Sequence, residues 1–247
     1  MGSDGVQFAI ARIIENYMAV SDWKSLESWL LELQTIRAKH TGKSYSGALT
    51  TAGNEINSIQ ALARFDEGEY QAAWACLDLT PKSSNELTLD PKFALQRSEQ
   101  MLLQAMLLQN EGKVEKVPHE LQKAKSMLEE TLSVLPLDGL VEAAPHVNQL
   151  HCISAFEESC KFGSSNGEPS HSLLSSYLQT GKFPCNRIHQ DCNLWLKVLR
   201  VRQNTLPTSL VTLELCKNIS SLARKQRNFM LATRLNNYLK VHCVKLF

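Results

Sequence analysis

Sixteen residues constrain this chain more than any others: Leu62-Ala63-Arg64-Phe65-Asp66-Glu67-Gly68-Glu69-Tyr70-Gln71-Ala72-Ala73-Trp74-Ala75-Cys76-Leu77. They read as the end of one helix, a tight turn and the start of a second helix folded back on the first. Gly68 is the turn residue, because helices often end on a left-handed position that glycine occupies at least cost. After it, Tyr70, Ala73, Trp74 and Leu77 recur at helical period. Ala72, Ala75, Cys76 and Leu79 fill the remaining sides, so the second helix is expected to be buried nearly all round. Small residues at Ala63 and Ala72 would let the two axes approach closely.

The same grammar returns. Leu222-Ala223-Arg224, Asn228 and Ala232 match Leu62-Ala63-Arg64, Gly68 and Ala72 at equal spacing. Ser21-Asp22-Trp23, leading into Leu26, Trp29 and Leu30, is a partial third copy. Repeated helix–turn–helix units predict an all-α fold, an α-solenoid of tetratricopeptide-like antiparallel pairs. The competing reading is three unrelated helix pairs in one globular α domain. The spacing predicts structural repeat contacts at Ala63, Gly68, Tyr70, Ala72, Trp74, Ala223, Asn228 and Ala232.

Length and charge narrow the function classes. A chain of 247 residues can bury a sizeable core. Its 26 Lys and Arg nearly balance 25 Asp and Glu, so the net charge gives no case for a nucleic-acid or membrane footprint. No apolar run reaches the ~20 residues of a membrane span, and no secretory leader pattern opens the chain. Met1-Gly2 fails as a myristoylation signal because Val6 stands where Ser or Thr is needed. Seven scattered cysteines make an odd number, and Cys76, Cys152, Cys160 and Cys216 fall in apolar helical patterns. They read as small hydrophobes in a reduced, intracellular protein.

Helices are expected over about 8–20, 22–39, 48–65, 70–79, 91–109, 118–135, 141–161, 172–180, 188–204, 209–227 and 229 to the end. Ser21 or Asp22 should cap the second. Asp90-Pro91 starts the fifth, whose apolar second half, Met101 to Leu108, should lie centrally. Breaks are expected near Gly42, at 80–89, at Gly112 and at 163–170, within a single repeat region spanning 1–247. Pro145 marks a start or kink.

Candidate chemistry is thin. Gly42-Lys43-Ser44 resembles the tail of a phosphate-cradling loop, but Arg37 stands where the loop needs its first Gly, and a helix precedes it. Cys185, His189 and Cys192 match no common zinc spacing. His146 and His151, five apart, fall off one helical face. No Ser lies in a Gly-x-Ser-x-Gly elbow. The glycosylation sequon Asn218-Ile219-Ser220 sits in a helix and reads as structural. The expectation is a chain with no catalytic residue, no cofactor-binding residue and no metal site.

Residues 221–235, Ser-Leu-Ala-Arg-Lys-Gln-Arg-Asn-Phe-Met-Leu-Ala-Thr-Arg-Leu, resemble a repeat from the FAT region of phosphatidylinositol 3-kinase-related protein kinases. Within that family they are most similar to the kinase of nonsense-mediated mRNA decay, in a plant form. Asp22-Trp23 with Trp29, and Phe65-Asp66-Glu67-Gly68, resemble earlier repeats. The likeness covers about 22–239 and is weakest over 112–193. It departs from the family at Arg227, where a glycine is usual, so Asn228 is expected to take the left-handed position alone. The family's catalytic loop and metal-binding Asp-Phe-Gly are missing.

The resemblance implies a non-catalytic fragment of a larger kinase. That segment would support the kinase domain of its parent chain and its regulatory subunits through protein–protein contacts, without direct nucleic-acid or membrane contact. It also implies an intracellular, cytoplasmic location with a nuclear option. The parent would phosphorylate Ser or Thr followed by Gln, a dipeptide missing from this chain. Two other classes stand beside it: an independent tetratricopeptide-like adaptor that binds a protein partner, and an enzyme with an unrecognised site.

Overall fold

A computed structural model describes residues 3–20, 22–40, 46–79, 91–136, 139–163 and 192–243. Among these there are helices and turns and no strand. The expected breaks near Gly42 and at 80–89, the helix at 172–180 and nearly all of the break at 163–170 lie outside the described residues. Gly163 ends a helix instead. The chain divides into two compact units, residues 1–88 and 89–247.

The first unit holds α1 (Ser3–Val20), α2 (Trp23–His40), α3 (Ser46–Asp66) and α4 (Tyr70–Asp78). Asp22 caps α2, its Oδ1 accepting the Ser25 N–H at 3.2 Å. Ile10 and Ile14 of α1, Trp23, Leu26 and Leu30 of α2, and Ile56 and Ile59 of α3 form one core. Burying such side chains gains about 1.5–3 kcal/mol each. α4 packs on α3 and buries Ala73 and Leu77. It is not buried all round, because Tyr70, Gln71, Ala75 and Leu79 are exposed. A nine-residue helix touching α3 along one side covers only that side.

The second unit holds α5 (Pro91–Asn110), α6 (Val117–Val134, after a 3₁₀ turn Val114–Lys116), α7 (Leu140–Gly163), α8 (Cys192–Thr205), α9 (Leu210–Lys225) and α10 (Phe229–Cys243). α5 is the hub, packed on α6, α7 and α8. Its Met101, Leu102, Leu103, Ala105, Met106, Leu107 and Leu108 are all buried, as the apolar run predicts. Pro145 lies inside α7, in its second turn. Hydrogen bonds set the direction of the layers. His146 Nε2 lies 2.8 Å from the Pro91 carbonyl, so α5 and α7 begin at one end. Asn110 donates to Asn204 at 2.7 Å, so α8 finishes at the other. α9 starts there, and Tyr238 near the end of α10 returns to it, donating to the Pro207 carbonyl at 2.8 Å. The α6–α7 and α9–α10 corners therefore share the end where α5 begins.

Three corners have the same backbone. Gly68 N–H donates to the Phe65 carbonyl and Glu69 N–H to Arg64, at 3.0 and 2.9 Å. Gly112 and Lys113 do the same to Gln109 and Leu108, and Arg227 and Asn228 to Arg224 and Ala223. This paired closure is the Schellman arrangement, and its middle residue must be left-handed. Gly68 has φ +82° and Gly112 φ +75°. In the third corner the left-handed residue is Arg227, φ +61°, and not Asn228. Asn228 is one place too late for that position. It caps α10 instead, its Oδ1 accepting the Leu231 N–H at 3.2 Å.

Candidate functional site

Each of the three corners is flanked by two buried residues, all small except Val117. Ala61 and Ala73 flank the first corner, Ala105 and Val117 the second, Ser220 and Ala232 the third. Each pair is twelve residues apart, and all six are 3% exposed or less. Ser220 Oγ donates to the Ala232 carbonyl at 3.4 Å and to Asn236 Oδ1 at 2.8 Å, tying α9 to α10. The α5–α6 pair is a unit that the sequence reading passed over, because Val117 and the 3₁₀ turn disguise its spacing.

The predicted repeat contacts fall as follows. Aligning the corners by their hydrogen bonds pairs Gly68 with Arg227, so Ala73 is the counterpart of Ala232. Ala223 is fully buried and Ala232 is buried; Ala63, Ala72, Trp74 and Asn228 are half-buried; Gly68 and Tyr70 are exposed. Tyr70 stacks obliquely on Phe65, ring centres 5.5 Å apart. Trp74 Nε1–H is buried with no acceptor among the described residues.

A polar cluster in the first unit surrounds Arg64. Its guanidinium pairs with Glu27 on α2, with Glu67 at 3.4 Å and with Glu69 at 3.0 Å. Burial lowers its pKa, and the pull of Glu27, Glu69 and Glu67 outweighs this and raises it. Beside it, Trp23, Leu26, Leu30, Ile59 and Ala63 line a cleft with room for about one water molecule. The arrangement clamps α2 to α3 across the corner. The Cys76 thiol beside it is pushed up by burial against the pull of Arg64, which suppresses the thiolate a nucleophile needs.

The remaining candidates do not assemble. Gly42, Lys43, Ser44, Cys185 and His189, and the side chain of Cys192, lie outside the described residues. His146 is buried between the carbonyls of Glu142 and Pro91, while His151 is exposed. Among the described residues no three His, Cys, Asp or Glu side chains group to hold a metal. Burial pushes the Cys152 and Cys160 thiols up to about 11, which suppresses the thiolate a nucleophile needs. Arg202 of α8 is fully buried, and nothing in its sequence context announces that.

Charge is segregated along the chain. Residues 192–247 carry ten Lys and Arg and a single acid, Glu214. Residues 126–160 carry six acids and no Lys or Arg. The near-zero net charge conceals both runs.

The fold defines a class: an all-helical protein containing helix–turn–helix pairs closed by one kind of corner. No family model matches the chain, and no solved structure does. A particular relative is found by sequence. The chain is 26% identical over 274 aligned residues to the serine/threonine-protein kinase SMG1 of Danio rerio. That alignment covers 93% of this chain and 7% of the kinase, so this chain is related to a short stretch of a much longer protein. Among the described residues no helix is long and apolar enough to cross a membrane.

Proposed function

We propose that this chain is a FAT-type helical-repeat segment of a large Ser/Thr kinase of nonsense-mediated mRNA decay. It is non-catalytic, and it supports the kinase domain and its regulatory subunits through protein contacts. The observation that carries the reading is sequence likeness to the kinase over nearly the whole chain, whose described residues form helices and turns without a strand. The corner geometry adds support, since pairs that bury small residues at a fixed spacing can stack as a solenoid. In this reading Ala63, Ala72, Ala223 and Ala232 lie where helices meet, and the plant-type resemblance marks the parent's origin. The segment is cytoplasmic and intracellular, with a nuclear share.

The test is binding to the separately expressed kinase domain of the related kinase, followed by calorimetry, with ATP turnover measured on the chain alone. The expected result is a saturable complex and turnover at background. No complex, together with ATP hydrolysis by the chain itself, would overturn the reading.

A further inference from the structure

The end of the second unit where α5 begins carries two corners of opposite sign. At the α9–α10 corner Arg224, Lys225 and Arg227 are exposed, and Phe229 and Met230 beside them are 63% and 66% exposed. At the α6–α7 corner Glu129, Glu130 and Glu142 are exposed, with Leu140 and Val141 at 76% and 82%. None of these six charged side chains has an ion-pair partner among the described residues.

Local needs of the fold account for only three of the six. Arg224 and Lys225 suit the negative end of α9, and Glu142 suits the positive end of α7. Glu129 and Glu130, however, lie on α6 just before its last turn, where the helix end gives them no support. Arg227 holds a left-handed backbone that costs about 1–2 kcal/mol, where the two other corners have glycine.

We infer that this end is a self-association surface whose occupant is a second copy of the chain. A two-fold axis midway between the corners sets each basic, apolar corner against the acidic, apolar corner of the other copy. Such an isologous contact is self-complementary and satisfies all six charges twice over. Charge complementarity selects the occupant, because both halves of the match lie at one end of the same unit. Nucleic acid fits less well: three clustered cations fall short of the roughly 6–10 phosphate contacts of strong binders. The acidic corner would also repel it.

The experiment is light scattering and sedimentation of the full chain across a concentration series, at low and high salt. The expected result is a monomer–dimer equilibrium weakened by salt, since exposed charges are screened. Arg224→Glu with Arg227→Glu should give a monomer, and so should Glu129→Lys with Glu130→Lys, each at least about tenfold weaker in self-association. Mixing the two variants should restore a heterodimer, because one of the two contacts becomes complementary again with reversed sign. Circular dichroism confirms that each variant folds. A chain that stays monomeric throughout overturns the proposal, even if it captures a glutamate-rich peptide at the basic corner. A dimer indifferent to salt and to both charge reversals overturns it equally.

Discussion

Ala72 and Ala73 are adjacent on α4, yet their surroundings differ enough to test the packing of the first corner. Ala73 is fully buried against α3, while Ala72 is half-buried. Replacing either with Asp costs the same helix propensity, roughly 0.7 kcal/mol. At position 73, which is fully buried, the carboxylate is also cut off from water. An uncompensated buried charge adds about 3–5 kcal/mol. Against a typical total of about 5–15 kcal/mol, Ala73→Asp should largely unfold the first unit, whereas Ala72→Asp should cost about 1 kcal/mol or less. Urea denaturation followed by tryptophan fluorescence suits the question. Trp23, Trp29 and Trp74 lie in the first unit and only Trp195 in the second. Equal midpoints for the two variants would refute the argument, and so would a larger loss at position 72. Ala232→Asp with Thr233→Asp repeats the comparison at the third corner, where Ala232 is buried and Thr233 exposed.

Further outcomes follow from the same geometry. Gly68→Ala and Gly112→Ala should each destabilise by about 1–2 kcal/mol, from backbone strain alone. An added Cβ meets no atom within 4 Å at either site, so thermal melts that match the parent would count against the left-handed assignment. Stability should fall as pH rises from about 9 to about 11. The buried Cys152 thiol is held up to about 11 when folded and ionises near 9 when unfolded, so its contribution is complete below 9 and lost by 11. Urea midpoints at pH 8 and pH 10.5 check this, and Cys152→Ala should flatten the slope. Tyr238→Phe removes the hydrogen bond to the Pro207 carbonyl and should cost about 1 kcal/mol in chemical denaturation.

What could be read beforehand was what a single residue type requires. Gly68 and Gly112 declare left-handed turns, Asp22 declares a cap, and Met101 to Leu108 declare a buried helix. The register of the repeat was harder. Leu62-Ala63-Arg64 and Leu222-Ala223-Arg224 match as text, but the corners superpose one residue apart, because hydrogen bonds and not side chains fix the turn. Asn228 was the better left-handed residue by type, yet a helix start needed its side chain as a cap. The opposite charges of the two corners were present in the sequence all along. A count over the whole chain cancels them, and a count over short windows does not. The buried placements of Arg202 and His146 depend on helices distant in sequence, His146 on a carbonyl 55 residues away, so no local pattern could show them.

The α9–α10 corner would look to trypsin like an inviting target, with Arg224, Lys225 and Arg227 exposed within four residues. Its amides say otherwise. Those of Arg227 and Asn228 are bonded back to the carbonyls of Arg224 and Ala223 at 3.1 and 2.8 Å, and a protease needs an extended strand that this closure denies. Cleavage there requires the end of α9 to open first. Digestion at these bonds should then track the opening of the hairpin, and amide exchange at Arg227 and Asn228 should rise and fall with it. This basic turn is thereby a gauge of how firmly the last two described helices of the second unit are closed.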